Sequence, residues 1–378
     1  MKKNKQLPVY GLIIIDVIMT LAFFGIFITY EYIIPQKSDS NAKVVLSDEE
    51  IDKSFKLPSI NQKSADSTSI KEQENNTSNE NENQIEDNNN NSKTTQSSRS
   101  SKQRSSKSST NNRSNENTQN MAADTNQTQN ITSTQINSTV IKTFKSDSAD
   151  ITVYQKTYGE GENKVTYYVA DCYVTSAAEI KTYLAENTYG KNIKESITDM
   201  DTATGSVLSI NGDFYGNSES GIVIRNGVEY RNNSTNADIC VLFKDGTIKT
   251  YSPTEFNSQE VIKQGAWQAW CFGPSLLDGN GNVLSEFNTT TFINSTHPRT
   301  ALGYIEPGHY IFAVVDGRST GYSKGVTISE LAALMKMEGC KEAYNMDGGN
   351  SSMMSFQGTI INKPSGNGRE ISDIIYIG

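Results

Sequence analysis

Three short segments of the chain place carboxylates, amides and glycines directly after strand-like runs. They are Asn211-Gly212-Asp213, Asp316-Gly317-Arg318 and Asp347-Gly348-Gly349-Asn350-Ser351-Ser352. Carboxylates held in this way can serve as general acids or bases, or as ligands of a hard cation. Asp-Gly is also a hairpin-turn signal, because both residues tolerate positive φ. The elements around each segment must therefore decide between a catalytic site and a plain turn.

Two other dipeptides show what a plain turn looks like. "GIVIRNGVEY" predicts two strands joined at Asn226-Gly227, and "CVLFKDGTIKTY" predicts two strands joined at Asp245-Gly246. Each dipeptide is flanked by strand-like segments of matching length, and no other reactive residue type crowds it. Both are therefore interpreted as structural hairpin turns.

The C-terminal segments are arranged differently. A buried strand over 310–315 ends at Asp316, and a Gly/Ser loop leads to a capping box formed by Thr327 and Glu330. Apolar spacing then predicts a helix over 328–338 and a short strand over 343–346, which ends at Asp347. A strand-helix-strand unit normally places its strands parallel, so both aspartates should open into one crevice at the carboxyl ends of the strands.

Other segments supply further groups for this crevice. A strand over 207–210, with a helix predicted upstream over 177–186, would bring Asn211 and Asp213 to it. In "STHPRTALGY", Pro298 fixes the backbone direction beside His297 and Arg299, and the planar arginine fork suits a pair of phosphate oxygens. Gly348 and Gly349 would let a ligand approach backbone N–H groups, as in anion-binding nests.

The segment 139–378 is predicted to be one α+β domain, a mixed β-sheet with helices packed on it. Its four cysteines, Cys172, Cys240, Cys271 and Cys340, form no Cys-x-x-Cys pair, so neither a zinc site nor redox chemistry is indicated. Three disulfide pairings are possible, and four buried free thiols are an equal alternative. With two histidines in the whole chain, a histidine-rich zinc centre is excluded.

The N-terminal part predicts a membrane anchor. Residues 7–34 form an apolar run longer than the roughly 20 residues that span a bilayer, and no small-residue cleavage site follows, which favours an uncleaved signal-anchor. Lys2, Lys3 and Lys5 keep residues 1–6 in the cytoplasm and place the C-terminal domain outside the cell, in a single-pass topology. Asp16 within the run needs a partner, a proton or a position near the inner interface.

Residues 35–138 are interpreted as a disordered linker that holds the domain away from a surface. Most of this segment is Asn, Ser, Thr, Gln, Glu and Lys, with too few apolar residues to offset the entropy of ordering it. The formal net charge of the chain is -9, and no basic stripe occurs in the folded part, which argues against a nucleic-acid partner.

Taken together, several ordered segments resemble the phosphodiester glycosidase family over most of 165–378. They are "INGDFYG", "GPSLLDGNGNV", "HPRTALGY", "VVDGRSTGYSKGVTISELAALMKMEGC" and "AYNMDGGNSSMM". Asn350 stands where the family often has a third glycine, and Tyr215 where it often has phenylalanine. The resemblance implies hydrolysis of the bond between the anomeric carbon of a sugar and a phosphate in a sugar-1-phosphodiester.

The resemblance also implies roles for the residues of the crevice. Arg299 and Arg318 would bind the phosphodiester, and Asp347 or Asp213 would be nucleophile or base in a two-carboxylate scheme. Asp316 would hold Arg318 or a divalent cation such as calcium or magnesium. His297 joins the catalytic set, and the remaining groups would bind substrate; they are Asn211, Gly348, Gly349, Ser351 and Ser352.

The expected function is that of a membrane-anchored extracellular hydrolase acting on a cell-envelope or exopolysaccharide glycopolymer. The alternative is a polysaccharide-binding or exopolysaccharide assembly factor with the same fold and no turnover, since a fold alone does not prove activity. A binder could lose Asp213 or Asp347 and keep its arginines. This chain has both carboxylates, which favours the enzyme.

Overall fold

The computed structural model of the chain describes residues 9–38, 42–52 and 136–378. The predicted cytoplasmic residues 1–6 and most of the predicted linker lie outside the described residues. The described part contains five α-helices: α1 Val9–Tyr32, α2 Ile197–Thr204, α3 Ser258–Lys263, α4 Thr291–Asn294 and α5 Ile328–Met337.

The described part also contains nineteen β-strands, several of them only two residues long. They are β1 Gln36–Lys37, β2 Lys43–Val44, β3 Asn137–Lys145, β4 Ala149–Tyr158, β5 Val165–Val174, β6 Lys181–Leu184, β7 Gly190–Lys191, β8 Leu208–Asn211, β9 Ile222–Arg225, β10 Val228–Asn232, β11 Ile239–Phe243, β12 Ile248–Tyr251, β13 Ala266–Trp270, β14 Arg299–Glu306, β15 His309–Val315, β16 Glu342–Asn345, β17 Met354–Phe356, β18 Thr359–Ile360 and β19 Asp373–Ile377.

The strands form three larger sheets and one small pair. One six-stranded sheet has the order β16-β14-β15-β5-β4-β3, a second has the order β12-β11-β13-β9-β10-β2, and a five-stranded sheet has the order β18-β17-β8-β19-β6. A common apolar core joins the three sheets and includes Ile151, Trp270, Phe312, Tyr344 and Ile375. With helices packed on these sheets, the predicted α+β class is confirmed.

Helix α5 covers the outer face of the first sheet and begins as predicted. The Thr327 hydroxyl accepts the Glu330 N–H at 3.2 Å, and the Glu330 carboxylate accepts the Thr327 N–H at 2.8 Å, which completes the capping box. Leu331 and Met335 are buried in the cluster that α5 forms with the sheet. Gly339, at φ +86°, follows the helix end.

The predicted parallel pair needs one correction. Strands β15 and β16 run in the same direction, but both pair antiparallel with β14, which lies between them. Strands β14 and β15 form a hairpin, and the connection through α5 then passes over β14 to reach β16 on its other side. The consequence drawn from the sequence still holds: the ends of β15 and β16 reach one edge of the sheet. Arg299, the first residue of β14, lies at that same edge.

The helix predicted over 177–186 is wrong. Residues Ala177–Glu179 form a single 3-10 turn, and 181–184 form strand β6, which pairs with β19. Half-buried and fully buried residues alternate in β6, which is the period of a strand and not of a helix. Both predicted hairpins are confirmed, since β9 pairs with β10 and β11 pairs with β12.

Helix α1 confirms the apolar N-terminal helix, and 20 of its residues, Ile13–Tyr32, could cross a membrane by length and composition. The linker boundary at residue 35 is corrected, because the chain joins the folded domain soon after this helix. Strands β1 and β2 pair with β7 and β10, and the side chains of Leu46 and Ile51 are buried. Burial of these two apolar side chains stabilises the contact of this segment with the domain.

All four cysteines are free thiols, so of the two alternatives the structure has the one without disulfides. Cys172, Cys240 and Cys340 are buried among apolar side chains, and Cys271 is half-buried. Burial raises the pKa of the Cys340 thiol, which makes it a poor nucleophile.

Candidate active site

The loop after β16 holds a single carboxylate at the wall of a cavity. The Asp347 carboxylate accepts the Gly348 N–H at 2.9 Å and an N–H of Arg369 at 2.7 Å. The carbonyl oxygen of Asp347 accepts the amide N–H of Asn211 at 2.7 Å, which ties this loop to the end of β8. Burial raises the pKa of Asp347, and the charge of Arg369 partly offsets the rise.

Arg369 is itself held in place from two sides. Its Nε donates to the Ser351 hydroxyl at 2.5 Å, and its guanidinium lies 4.9 Å from the centre of the Phe214 ring, in cation-π contact. Phe214 has a φ of +68°, an uncommon conformation for a bulky residue. This strained backbone aims the aromatic ring under the arginine, and it is typical of functional sites.

Arg318 faces the same cavity from the loop after β15. Its guanidinium donates to the Asn350 side-chain oxygen and to Nδ1 of His297, both at 3.2 Å. Its own φ is +57°, again unusual for a residue with a Cβ. Within 9–38, 42–52 and 136–378, Arg318 forms no ion pair with a carboxylate.

Arg299 is the most buried arginine of the cavity, with 3% of its surface exposed. It donates to backbone carbonyls of Ile293, Ser295 and Val326 and, like Arg318, has no carboxylate partner in the described structure. Burial lowers its pKa to about 10, with a contribution from the charge of Arg318. A charge buried without a counter-charge is costly, so this position is prepared for an anion.

His297 links these groups as a neutral ring. Its Nε2 lies 2.9 Å from the Phe292 carbonyl oxygen, and its Nδ1 accepts from Arg318. The carbonyl requires a donor at Nε2, so the ring carries its proton there. Burial lowers the pKa of His297, and the nearby Arg299 and Arg318 lower it further. Both nitrogens are engaged, which leaves the ring to orient Arg318.

The cavity has a volume of about 290 Å³, near the lower end of small-ligand sites. Three arginines and one carboxylate line it together with apolar groups. The lining of the cavity includes Phe272, His297, Arg299, Arg318, Asp347 and Arg369. The arrangement combines an anion site with a proton acceptor and an apolar wall that could pack against a sugar ring.

Several predicted site residues lie elsewhere. Asp213 does not line the cavity: its carboxylate pairs with Arg225 at 2.7 Å and accepts the Cys271 N–H at 2.8 Å, and it is 2% exposed. Arg225 also pairs with Asp373 at 2.9 Å. Asp213 therefore belongs to a closed ion cluster behind the floor of the cavity.

Asp316 is also outside the cavity, although it lies at the predicted sheet edge. Its carboxylate accepts from the Asn362 side chain at 2.8 Å, the Lys363 N–H at 2.9 Å and the Tyr322 hydroxyl at 2.8 Å. Three donors aimed at this group do not fit a cation, and Arg318 has other partners. Among the residues that the structure describes, no group of three His, Cys, Asp or Glu could hold a metal ion. Asp316 instead fixes the loops around the site.

The predicted backbone nest at Gly348 and Gly349 is not open to a ligand. The Gly348 N–H donates to Asp347, and the Gly349 N–H donates to the Pro298 carbonyl at 3.0 Å. These glycines serve close packing: a Cβ at Gly348 would lie 2.9 Å from the Pro298 oxygen. Ser352 is buried beside them without lining the cavity.

Two residues of the site were not predicted from the sequence. Arg369 follows a turn-rich "SGNG" segment just before β19, and Phe214 stands between Asp213 and Tyr215 in a segment that was noted for its carboxylate. The one clue to Arg369 is its position shortly before β19, because β19 pairs with β8, which ends at the site. Nothing in the residue types predicts the cation-π contact between them.

Part of the domain is similar to known proteins. Residues 204–378 match the family model "Phosphodiester glycosidase". A curated relative, "SPbeta prophage-derived uncharacterized protein YomE" of Bacillus subtilis (strain 168), is 33% identical over 196 residues, which is 50% of this chain and 30% of that protein. The chain thus spans less than a third of the length of this relative.

A solved structure shares the fold. The zebrafish N-acetylglucosamine-1-phosphodiester alpha-N-acetylglucosaminidase catalytic domain, auto-inhibited by its pro-peptide, superposes with a TM-score of 0.50 at 18% identity, covering 64% of this chain and 87% of that chain. At this identity the likeness concerns the fold. The family match rests on 204–378, the part that carries Arg299, Arg318, Asp347 and Arg369. Residues 204–378 of the chain thus match the phosphodiester glycosidase family.

Proposed function

We propose that the domain hydrolyses the bond between the anomeric carbon of a sugar and the phosphate of a sugar-1-phosphodiester. The observation that carries the proposal is the cavity with three arginines and a single buried carboxylate, in which Arg299 and Arg318 have no acidic partner among the described residues. The match of this part of the chain to the phosphodiester glycosidase family supports the same reaction class.

The arginines would bind the phosphate. Guanidinium groups form charge-assisted hydrogen bonds to phosphate oxygens, and such bonds are stronger in a buried site than in water. A phosphodiester would also supply the counter-charge that the buried Arg299 lacks. As the bond to the sugar breaks, negative charge grows on the leaving phosphate, and these positive groups stabilise it.

Asp347 would act on the sugar side. In the simplest scheme, it takes a proton from a water molecule whose oxygen bonds to the anomeric carbon. The bond from that carbon to the phosphate oxygen breaks, and its electron pair leaves with the phosphate monoester. Phosphate is a good leaving group, so a second carboxylate acting as general acid is not required, unlike in ordinary glycosidases.

Arg369 and His297 would position these groups. The charge of Arg369 lowers the pKa of Asp347 against the effect of burial, and Arg369 holds one of the carboxylate oxygens, while His297 orients Arg318 through Nδ1. Asp213 and Asp316 would contribute only by stabilising the loops, because their oxygens already accept from several donors. Of the two carboxylates considered as nucleophile or base, Asp347 is thus the one proposed here.

The test is to incubate the full chain in detergent with a panel of sugar-1-phosphodiesters in water labelled with oxygen-18. We expect free reducing sugar carrying the label and an unlabelled phosphate monoester. Label in the phosphate would mean that the phosphorus is attacked and would overturn the proposed bond cleavage. Binding without any turnover would favour the alternative, a polysaccharide-binding or assembly factor.

We further propose that α1 anchors the protein in the cell membrane with the domain outside, where the substrate is part of an envelope or exopolysaccharide glycopolymer. Lysines 2, 3 and 5 before the apolar run support this orientation. Protease added to intact protoplasts should remove the C-terminal domain. Complete protection, with cleavage only after lysis, would reverse the topology.

A further inference from the structure

The end of α1 is fastened to the folded domain by side chains on both sides of β7. The Lys191 ammonium forms an ion pair with the Glu31 carboxylate. The Asn192 amide donates to the carbonyl oxygens of Glu31 at 3.0 Å and Ile34 at 3.3 Å. Carbonyls at a helix end lack partners within the helix, so Asn192 caps α1 from the domain. We call residues 30–38 together with 189–192 the joint.

Backbone pairing and stacking make the joint stiff. Strand β1 pairs antiparallel with β7, and the Ser38 N–H donates to the Tyr189 carbonyl at 3.2 Å. The Tyr189 ring lies between the rings of Tyr215 and Tyr230, with centroids 5.3 and 5.0 Å away. Stacked aromatic rings fix the backbone that carries the pairing. Asn192 itself is 7% exposed with φ +59°, a conformation suited to Asn.

The joint is close to the candidate site along the fold. Glu195 and Ile371 exchange two backbone hydrogen bonds of 3.0 Å each, and Arg369 lies two residues before Ile371. With about 3.3 Å per extended residue and about 5 Å between paired strands, the Arg369 backbone lies at most about 22 Å from Asn192. The interfacial region of a bilayer adds only about 5 to 7 Å on each side of its hydrocarbon core.

A flexible spacer between α1 and the domain would hold the domain much farther from the membrane. About 100 residues of flexible chain have an end-to-end distance of about 50 to 60 Å. Here the chain meets the domain already at Gln36, and Leu46 and Ile51 are buried before the segment 53–135 begins. The connection between helix and domain is therefore the short stretch after Tyr32, and the long polar segment starts and ends on the domain.

We propose that the joint seats the domain directly on the bilayer and that the site acts on sugar-1-phosphodiesters whose second ester is to a membrane lipid. The choice of substrate class rests on the proposed hydrolysis, while the seating rests on the joint alone. Contacts made by Glu31 and Ile34 also favour a retained anchor over a cleaved signal peptide, because the domain uses the end of the helix as a packing partner.

The seating is tested by fluorescence quenching with the full chain in lipid vesicles. A donor dye is attached at Glu370→Cys, an exposed position beside the site, and the acceptor is a headgroup-labelled lipid. Background labelling of Cys271 is measured with the chain that lacks the added cysteine. Ten Gly/Ser residues inserted after Pro35 loosen the joint, and the same ten residues inserted after Ser98 are the matched control.

We expect strong quenching in the parent chain and in the Ser98 insertion, and a severalfold weaker signal in the Pro35 insertion. Weak quenching in the parent chain, or equal changes in the two insertions, would overturn the seating.

The substrate class is tested with the same three proteins. Two probes share one sugar: its 1-phosphodiester with a long-chain alcohol, placed in the vesicles, and its soluble methyl phosphodiester. We expect the Pro35 insertion to lower turnover of the lipid probe severalfold and to leave the soluble probe unchanged. Equal turnover of the lipid probe by all three proteins would refute the lipid class. Turnover of neither probe by any protein would refute the proposed hydrolysis and leave the quenching result standing.

Discussion

Two clusters of aspartate and arginine, Arg225 with Asp213 and Asp373 and Arg369 with Asp347, differ in how far their charged groups are exposed. In the buried cluster, the side chains of Arg225, Asp213 and Asp373 are each about 1% exposed. In the cavity cluster, Asp347 is 10% exposed and its partner Arg369 is 41% exposed. The same residue types thus form a closed unit in one place and an open one in the other.

The difference lies in the unused hydrogen-bond donors. Arg225 donates to Asp213, to Asp373 and to the backbone carbonyls of Ile224 and Ala269, and its side chain is about 1% exposed, so its guanidinium is closed to a ligand. Two arginines of the cavity, Arg299 and Arg318, have no acidic partner in the part of the chain that the structure describes. A carboxylate and an arginine therefore indicate a reactive site only when their charges do not already cancel each other. On this basis, we expect the buried cluster to contribute to stability and the cavity cluster to contribute to the proposed reaction.

The largest expected effect is on stability, from Arg225→Met. Removing this arginine leaves two carboxyl groups buried without their counter-charge, so the free energy of unfolding should fall by about 3 to 5 kcal/mol. Urea unfolding of the full chain in detergent measures it through the fluorescence of Trp267 and Trp270, both buried in the domain.

Arg318→Met is the matched control for that measurement. Arg318 has no ion pair in the described structure. The free energy of unfolding of the Arg318→Met chain should therefore differ from that of the parent by less than about 0.5 kcal/mol, as for an ordinary surface substitution. Equal destabilisation by the two substitutions would remove the distinction between a closed and an open cluster.

The second effect is on catalysis, from the same Arg318→Met variant. Loss of one charged hydrogen-bond donor to phosphate should lower kcat/KM by about 10- to 100-fold, which corresponds to about 1.5 to 3 kcal/mol. Arg318→Lys should recover part of the loss, because it restores the charge but not the planar fork. Steady-state kinetics with a sugar-1-phosphodiester gives these values. Unchanged kinetics in Arg318→Met would show that this arginine does not contact the phosphate.

The smallest expected effect is a shift in pH dependence, from Arg369→Gln. The Asp347 carboxylate must be ionised to accept a proton, so the rate falls as the pH drops through its pKa. Burial raises this pKa and Arg369 lowers it. Removing the arginine should therefore move the acid limb of kcat/KM to higher pH, by about one unit. If the acid limb of the pH profile stays in place or moves to lower pH, Arg369 does not lower the pKa of Asp347 as expected from their ion pair.

The same raised pKa has a consequence for stability. Folding favours the protonated Asp347, so the stability that this group contributes is fully present below its unfolded pKa and is lost as the pH rises through its folded pKa. Arg369→Gln should widen that pH window toward higher pH, which urea unfolding at several pH values can measure.

Local signals in the sequence predicted many elements correctly. Helix α5, its capping box, both hairpins and the shared edge of β15 and β16 follow from periodicity and turn chemistry. The order of strands in the sheet did not follow, because β14 enters between β15 and β16 through pairing that no local pattern encodes. The segment 177–186 was mistaken for a helix for a related reason: tertiary pairing with β19 overrides its local preference.

The structure brings together four of the candidate residues named from the sequence. Asp347, Arg299, Arg318 and His297 do line one cavity. Asp213 could not be separated from them by sequence, because its partner Arg225 occurs in an ordinary hairpin strand twelve positions later. Whether a carboxylate faces a cavity or a buried arginine depends on the packing of distant strands.

The central claim is tested most directly by measuring turnover and unfolding for Asp347→Asn and Asp213→Asn side by side. Both substitutions keep shape and remove one charge. We expect Asp347→Asn to unfold at nearly the same urea concentration as the parent chain and to lose at least about a hundredfold in kcat, the scale of a single acid-base group. Asp213→Asn should unfold at lower urea and keep kcat within about threefold when folded. The reverse pattern, with Asp213→Asn folded but inactive and Asp347→Asn active, would contradict the account.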